Sequence, residues 1–167
     1  NYPDVVKGLL NQFDLERQGL EKVKAASTSS QTADACKYLL EYYKNGHTAQ
    51  NLRKDAPVKT AGTDAEADTI LTNVFVIQNV RGQVAYGVDG HRDWYYKGPN
   101  NDREWAWLSN RHSQLLRVFS TYMDTGNPKY AEYIDLFLRD FIIKSMPYPA
   151  AKGSESIWRG LEVAARA

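Results

Sequence analysis

Residues 101–112 read NDREWAWLSNRH. The stretch sets Trp105, Leu108 and His112 at three- and four-residue steps, and the series continues through Leu115, Leu116, Phe119, Tyr122 and Met123. That spacing predicts one helix over Asp102–Thr125, about six turns long, stopped at Gly126 where a left-handed cap is expected. Glu104, Trp107 and Arg111 fall on a second face, beside the apolar one. Two readings of that face stay open. In one, the indole and the guanidinium receive a ring-shaped ligand that carries an anion, the ring stacking and the guanidinium pairing. In the other, Glu104–Arg111 or Asp102–Arg103 is a surface ion pair and Trp107 packs on a neighbouring helix.

Working toward the C-terminus, Asn127-Pro128 opens a further helix with proline at its first position. Its expected stripe is Tyr130, Ile134, Phe137, Leu138, Phe141 and Ile142, and Pro147 and Pro149 close it. A last helix is expected from Ser154 or Ser156 to Ala167, with Ile157, Leu161 and Ala164 toward a core. Trp158, Glu162 and Arg166 then share a stripe, with Arg159 on an adjacent one, repeating the aromatic-plus-arginine pattern of residues 101–112. Glu162–Arg166 also has the favourable i,i+4 order of a helix-stabilising pair. The pattern runs to Ala167 without a stop signal, and the expectation is that the chain is part of a longer protein.

Working toward the N-terminus, VFVIQNVRGQVAYGVDGHRDWYYKGP, residues 74–99, fits either a β-hairpin turning at 79–82 or an irregular segment punctuated by Gly82, Gly87, Gly90 and Gly98. Within it, GHRDWYYKGP (90–99) reads either as a source of exposed rings and cations or as a surface loop. A short helix is expected at Asp64–Thr72 and a polar surface connection, with Pro57 inside, at His47–Gly62. Gln31–Lys44 reads as a helix with Ala35, Tyr38, Leu39, Tyr42 and Tyr43 on one face, stopped by Asn45-Gly46. DLERQGLEKVKAAS (14–27) reads as its partner in a helical hairpin.

Composition bounds the function. With 167 residues, 43% hydrophobic, the chain is long enough for one ordinary domain, taken as 1–167. Charge is balanced, 21 Lys+Arg against 20 Asp+Glu, so no global basic field argues for nucleic acid. No run approaches the ~18 apolar residues of a membrane span, which predicts a soluble protein. Cys36 is the one cysteine and reads as a small core hydrophobe. His47, His91 and His112 show no metal-ligand spacing, and no phosphate-binding, dinucleotide or nucleophile-elbow motif is present. His112 reads as a core or rim histidine. No metal and no cofactor are expected.

At this point the ordered motifs resemble the heparinase II/III-like polysaccharide lyases, in particular the N-terminal helical part of the heparinase III type. LERQGLEKVKAA with ADACKYLLEYYKN is similar to that family's first helical hairpin. E-x-x-W-x-x-N-R from Glu104 to Arg111 resembles its next signature, followed by Tyr122, Thr125-Gly126 and Tyr130-Ala131. Trp158-Arg159-x-Leu161-Glu162-x-x-x-Arg166 resembles the closing one. The resemblance implies an all-α fold, an incomplete (α/α) toroid of about six helices that forms the N-terminal portion of a larger toroid plus β-sandwich protein. It implies cleavage of a uronic-acid polysaccharide by β-elimination, with an Asn, a Tyr and a His as the family's catalytic set. No segment here matches those three, so no catalytic residue is assigned and independent lyase activity is not expected. Trp107, Asn110, Arg111, Trp158, Arg159 and Glu162 are the expected substrate-binding residues. The expected partner is an acidic polysaccharide, heparan-like or another glycuronan, met by a monomer in the periplasm or outside the cell. Two other functions stay open: a glycoside hydrolase on a related helical barrel, for which Glu104 and Glu162 would be the carboxylate pair, and a non-catalytic helical binding module.

Overall fold

The computed structural model describes residues 3–54, 62–146, 149–151, 153, 155 and 157–167. They fall into two compact units, 1–56 and 57–167.

The first unit is helical: α1 Pro3–Leu10, α2 Glu21–Thr28, α3 Thr32–Asn45 and α4 His47–Lys54. Leu10, Leu20, Val23, Ala26, Ala35 and Leu39 form its core, with Tyr38 and Tyr42 packed against it. The α2–α3 hairpin expected from the sequence is present, but α2 starts at Glu21 rather than in the LERQ stretch. Gly19 adopts φ +92°, and a Cβ there would stand 2.9 Å from the Tyr42 ring, so the chain turns where only glycine fits. Residues 47–54, expected as a surface connection, are helical, while Pro57 lies outside the described residues. Cys36 is half-buried rather than a core residue.

In the second unit α5 (Ala65–Leu71) begins where Asp64 accepts the Ala67 N–H at 2.8 Å. Strands β1 (Val74–Ile77) and β2 (Val80–Gln83) pair antiparallel, Val74 opposite Gln83 and Ile77 opposite Val80. Gln78 and Asn79 both take positive φ, as a two-residue hairpin loop of type I′ requires, so the turn precedes the expected 79–82. Gly82 serves another purpose. A Cβ at Gly82 or Gly98 would come within 2.8 Å or 2.6 Å of the Trp105 ring, so two glycines from the hairpin and the following loop make the seat for one buried indole. Its Nε1 donates to Val80 O at 3.2 Å. The hairpin reading therefore holds for 74–83 and the irregular reading for the glycine-rich remainder.

The single helix expected over 102–125 is two: α6 (Arg103–Ser109) and α7 (Gln114–Thr125). Between them Asn110 Nδ2 donates to Ala106 O at 2.9 Å, competing with the helix's own ladder, and His112 turns to φ +59°. The break resets the phase of the apolar stripe. Val118 and Thr121 are buried on α7, while Leu116 and Phe119, expected inside, are 71% and 52% exposed. Helix α8 (Pro128–Lys144) opens as expected, Asn127 capping the Lys129 N–H, and ends at Ser145; Pro147 lies outside the described residues. Its inward face is Tyr130, Tyr133 and Phe137, with Ile134 and Phe141 partly buried; Leu138 and Ile142 point outward. Tyr130 is fully buried, yet its hydroxyl accepts from Asp64 N and donates to Asp68, tying α8 to the start of α5.

Helix α9 is shorter than expected, Gly160–Arg166; Ser154 and Ser156 lie outside the described residues. Ile157, just ahead of it, is buried as expected, but the inward face of α9 itself differs. Ile157 and Glu162 are fully buried, whereas Leu161 is 58% exposed and Ala164 is exposed. No helix among the described residues is long and apolar enough to cross a membrane.

Candidate functional site

Helix α6 is capped by Asp102, whose Oδ1 accepts the Glu104 N–H at 2.9 Å. From that start Trp105 points into the core and Trp107, two residues on, is half-buried on another side. The break after Ser109 carries Arg111 off the helix, so Glu104, Trp107 and Arg111 do not form one helical face. No Glu104–Arg111 or Asp102–Arg103 bond occurs among the described residues. Arg111 turns instead to Glu162, its Nη2 and Nε donating to Oε1 at 3.2 and 3.3 Å.

Arg159 reaches the same carboxylate from the other side. It sits just ahead of α9 with extended backbone (φ −61°, ψ 137°), and donates from Nε to Oε2 at 2.5 Å and from Nη2 to Oε1 at 2.7 Å. Glu162 thus accepts four charge-assisted bonds while its own side chain has no solvent exposure. Pairing with Arg159 first, and with Arg111 second, holds its carboxyl below the ordinary range against the opposing effect of burial. The same bonds raise the Arg159 pKa. The Arg159 guanidinium also lies 3.8 Å from the centroid of the Trp107 ring, in cation–π geometry. Trp107, Arg111, Arg159 and Glu162 are therefore one cluster, and it is built from both aromatic-plus-arginine segments.

The other two expected residues, Asn110 and Trp158, make their hydrogen bonds outside this cluster. Asn110 is 1% exposed; its side-chain Nδ2 donates to Trp94 O and Ala106 O, and its backbone carbonyl accepts Arg166 Nη1 at 2.5 Å. Trp158 donates from Nε1 to Ser145 O at 2.7 Å and packs on Phe141 and Arg166. Arg166 does not pair with Glu162 in the expected i,i+4 manner. It ties Asn110 O and Ile157 O together over the Phe141 ring, and burial lowers its pKa. The frame under the cluster is thus Asn110, Arg166 and Trp158.

A second polar group was not read from the sequence. Asp140 on α8 accepts His91 Nδ1 at 2.5 Å, Trp94 Nε1 at 2.9 Å and Arg92 N at 3.1 Å. Arg92 is 5% exposed, its guanidinium 4.2 Å from the Phe137 ring centroid and bonded to Asn73 and Tyr133. The 90–99 segment is therefore neither wholly a surface loop nor a row of exposed rings, because Arg92 and Trp94 are core. The available signal was Asp140 itself, a carboxylate between Phe137 and Phe141 that requires donors from another element. An open cavity of about 340 Å³ lies beside it, lined in part by His91, Asp89, Tyr95 and Lys144. His112 packs between Trp94, Phe137 and Phe141, and burial lowers its pKa to about 3, so its ring is neutral. It is a rim histidine of the core, as expected.

Comparison with known proteins shows the family of the chain. The chain is 30% identical over 152 residues to a heparin-sulfate lyase of Bacteroides stercoris, covering 86% of this chain and 22% of that protein. It is 29% identical over 164 residues to a heparin-sulfate lyase of Pedobacter heparinus, covering 93% and 24%. Among solved structures, a heparan sulfate lyase from Pedobacter heparinus superposes with TM-score 0.68 at 28% identity, over 96% of this chain and 26% of that one. A heparinase III gene product with methylated lysines gives TM-score 0.67 at 26% identity, over 96% and 27%. The chain spans about a quarter of the length of these relatives. The mostly helical fold and its match to part of the heparinase III structures agree with an all-α, incomplete (α/α) toroid. A family model described as the heparinase II/III N-terminus matches residues 9–167, and the chain belongs to that family.

Proposed function

We propose that this chain forms one wall of the substrate cleft of a polysaccharide lyase that cleaves a uronic-acid-containing acidic polysaccharide by β-elimination. The observation that carries the reading is the buried Glu162 holding Arg111 and Arg159 together beside Trp107. Two guanidinium groups sharing one carboxylate leave a net positive charge where a glycuronan presents its anions. Arg111 and Arg159 contact the polymer, while Asn110, Trp158 and Glu162 hold them in place, with Trp107 beside Arg159. The family relationship supports lyase chemistry, with proton abstraction and leaving-group protonation done by groups outside this chain. A polymeric substrate also implies a secreted or periplasmic protein.

The hydrolase reading is disfavoured by the state of Glu162. A catalytic carboxyl must reach the sugar as acid, base or nucleophile, and this one has no exposure and is occupied by bonds from two arginines. The test is to incubate the full-length protein with heparan-like and other glycuronan chains and follow ultraviolet absorbance. Elimination creates an unsaturated uronate that absorbs, and this is the expected product. New reducing ends without absorbance would establish hydrolysis and overturn the proposal.

A further inference from the structure

The position of Trp107 raises a question that the cleft reading leaves open. An indole at the edge of a sugar cleft would ordinarily stack on a pyranose, and stacking requires an uncovered ring face. The Arg159 guanidinium lies 3.8 Å from the ring centroid, closer than any other cation–π pair in the described residues, and covers one face of the indole. Arg159 is fixed there from its other edge by Glu162, at 2.5 and 2.7 Å. Arg111 is fixed to the same carboxylate through Nε and Nη2. In both arginines Nη1 has no hydrogen bond among the described residues, and neither atom is buried without a partner. The side chains keep 31% and 28% exposure, against none for Glu162.

We infer that Trp107 is a positioning residue for Arg159 rather than a stacking platform, and that the cluster binds one oxyanion substituent of the polymer between the Nη1 edges of Arg111 and Arg159. This rests on the acidic-polysaccharide reading above. The chemistry follows from the arrangement. Glu162 consumes two donors of each guanidinium and orients the plane, so the remaining donors face outward already ordered. An ordered fork loses little side-chain freedom on binding. The ring supplies the floor that stops Arg159 from swinging into solvent. Glu104, whose charge also acts on Arg159, limits the excess positive charge at the cleft edge. Carboxylate and sulfate share the chemistry that such a fork takes, a group with two or more charged oxygens.

A double-mutant cycle on the full-length protein tests the inference, with binding measured for a sulfated and an unsulfated uronate oligosaccharide over a range of salt. Arg159→Ala is expected to weaken binding ~10-fold and to flatten the dependence of affinity on salt. Trp107→Ala is expected to weaken it less, also with a flatter salt dependence. Trp107→Ala added to Arg159→Ala is expected to cost no more than about 2-fold beyond Arg159→Ala alone, because the ring acts through the guanidinium. Arg159→Lys, which keeps the charge and loses the fork, should recover the salt dependence but not the affinity. If the two single losses multiply in the double variant, the indole contacts the sugar itself and the inference is overturned. A preference for the sulfated oligosaccharide that disappears in Arg159→Ala identifies sulfate as the anion read; equal loss on both identifies the carboxylate. Wild-type protein that binds neither oligosaccharide would instead sink the acidic-polysaccharide reading. Melting temperatures taken alongside separate a folding defect from lost recognition.

Discussion

Glu162 and Arg111 stand 51 residues apart in the chain and meet in space, Oε1 accepting Nη2 at 3.2 Å and Nε at 3.3 Å. The contact joins the break between α6 and α7 to the first turn of α9. The Glu162 carboxylate is fully buried and is shared by two arginines, Arg111 and Arg159.

Glu162→Gln should therefore lower the melting temperature by at least about 5 °C, since removing one partner of a buried ionic group leaves the others uncompensated. Arg111→Ala should cost less, because Arg159 still neutralises Glu162. Thermal unfolding followed by circular dichroism ranks the two; equal or reversed losses would mean that Glu162 is not the hub.

His112 gives a pH dependence of defined sign. Its ordinary pKa is 6.5 and its folded value about 3, lowered chiefly by burial and then by Arg166 and Arg92. Between those values the unfolded chain binds a proton that the folded chain refuses, so stability is fully present above about 6.5 and falls as pH drops toward 3. His112→Asn removes the titration while suiting the positive φ. Denaturant unfolding at several pH values should show a shallower acid loss in the variant, and parallel curves would contradict the assignment.

The seat of Trp105 predicts a graded response to alanine. Gly98→Ala places a methyl 2.6 Å from the ring and should destabilise by about 1–3 kcal/mol from overpacking alone, with the cost of positive φ added. Gly90 also has positive φ (+74°), but a Cβ there meets nothing within 4 Å, so Gly90→Ala should cost only the backbone part, roughly 1–2 kcal/mol. Equilibrium unfolding with tryptophan fluorescence reads both.

Asp140 clips the 91–94 segment to α8. Asp140→Ala strips three donors of their acceptor and should speed amide hydrogen exchange at Arg92, whose N–H donates to Oδ2 at 3.1 Å. Unchanged exchange there would show that the aromatic core around Arg92 holds the segment by itself.

The helices with complete local signals were legible in the sequence. Asn127-Pro128 marked the start of α8, Asp64 that of α5 and Asn45-Gly46 the end of α3, because capping and proline geometry are decided within a few residues. The α6–α7 break was not, since 102–125 carries no glycine or proline and the interruption depends on Asn110 bonding to Trp94 O, a carbonyl 16 residues away. Missing that break carried errors into the buried faces of α7, while the shorter α9 exchanged Glu162 for Leu161 on its inward side. The two aromatic–arginine segments were expected to share a location with six residues, Trp107, Asn110, Arg111, Trp158, Arg159 and Glu162, and the structure joins four of them, Trp107, Arg111, Arg159 and Glu162, through direct contacts. What spacing did not reveal was the order within the set, with the carboxylate at the centre and the arginines around it. Asp140 escaped notice because its donors come from an irregular loop.

The most direct test of the account is a crystal structure of the full-length protein with a uronate oligosaccharide bound. The account predicts a carboxylate or sulfate oxygen about 3 Å from Nη1 of Arg111 or Arg159, with Glu162 still holding both guanidinium groups. A sugar ring lying directly on Trp107 with Arg159 displaced, or a bound chain that passes elsewhere on the molecule, would contradict it.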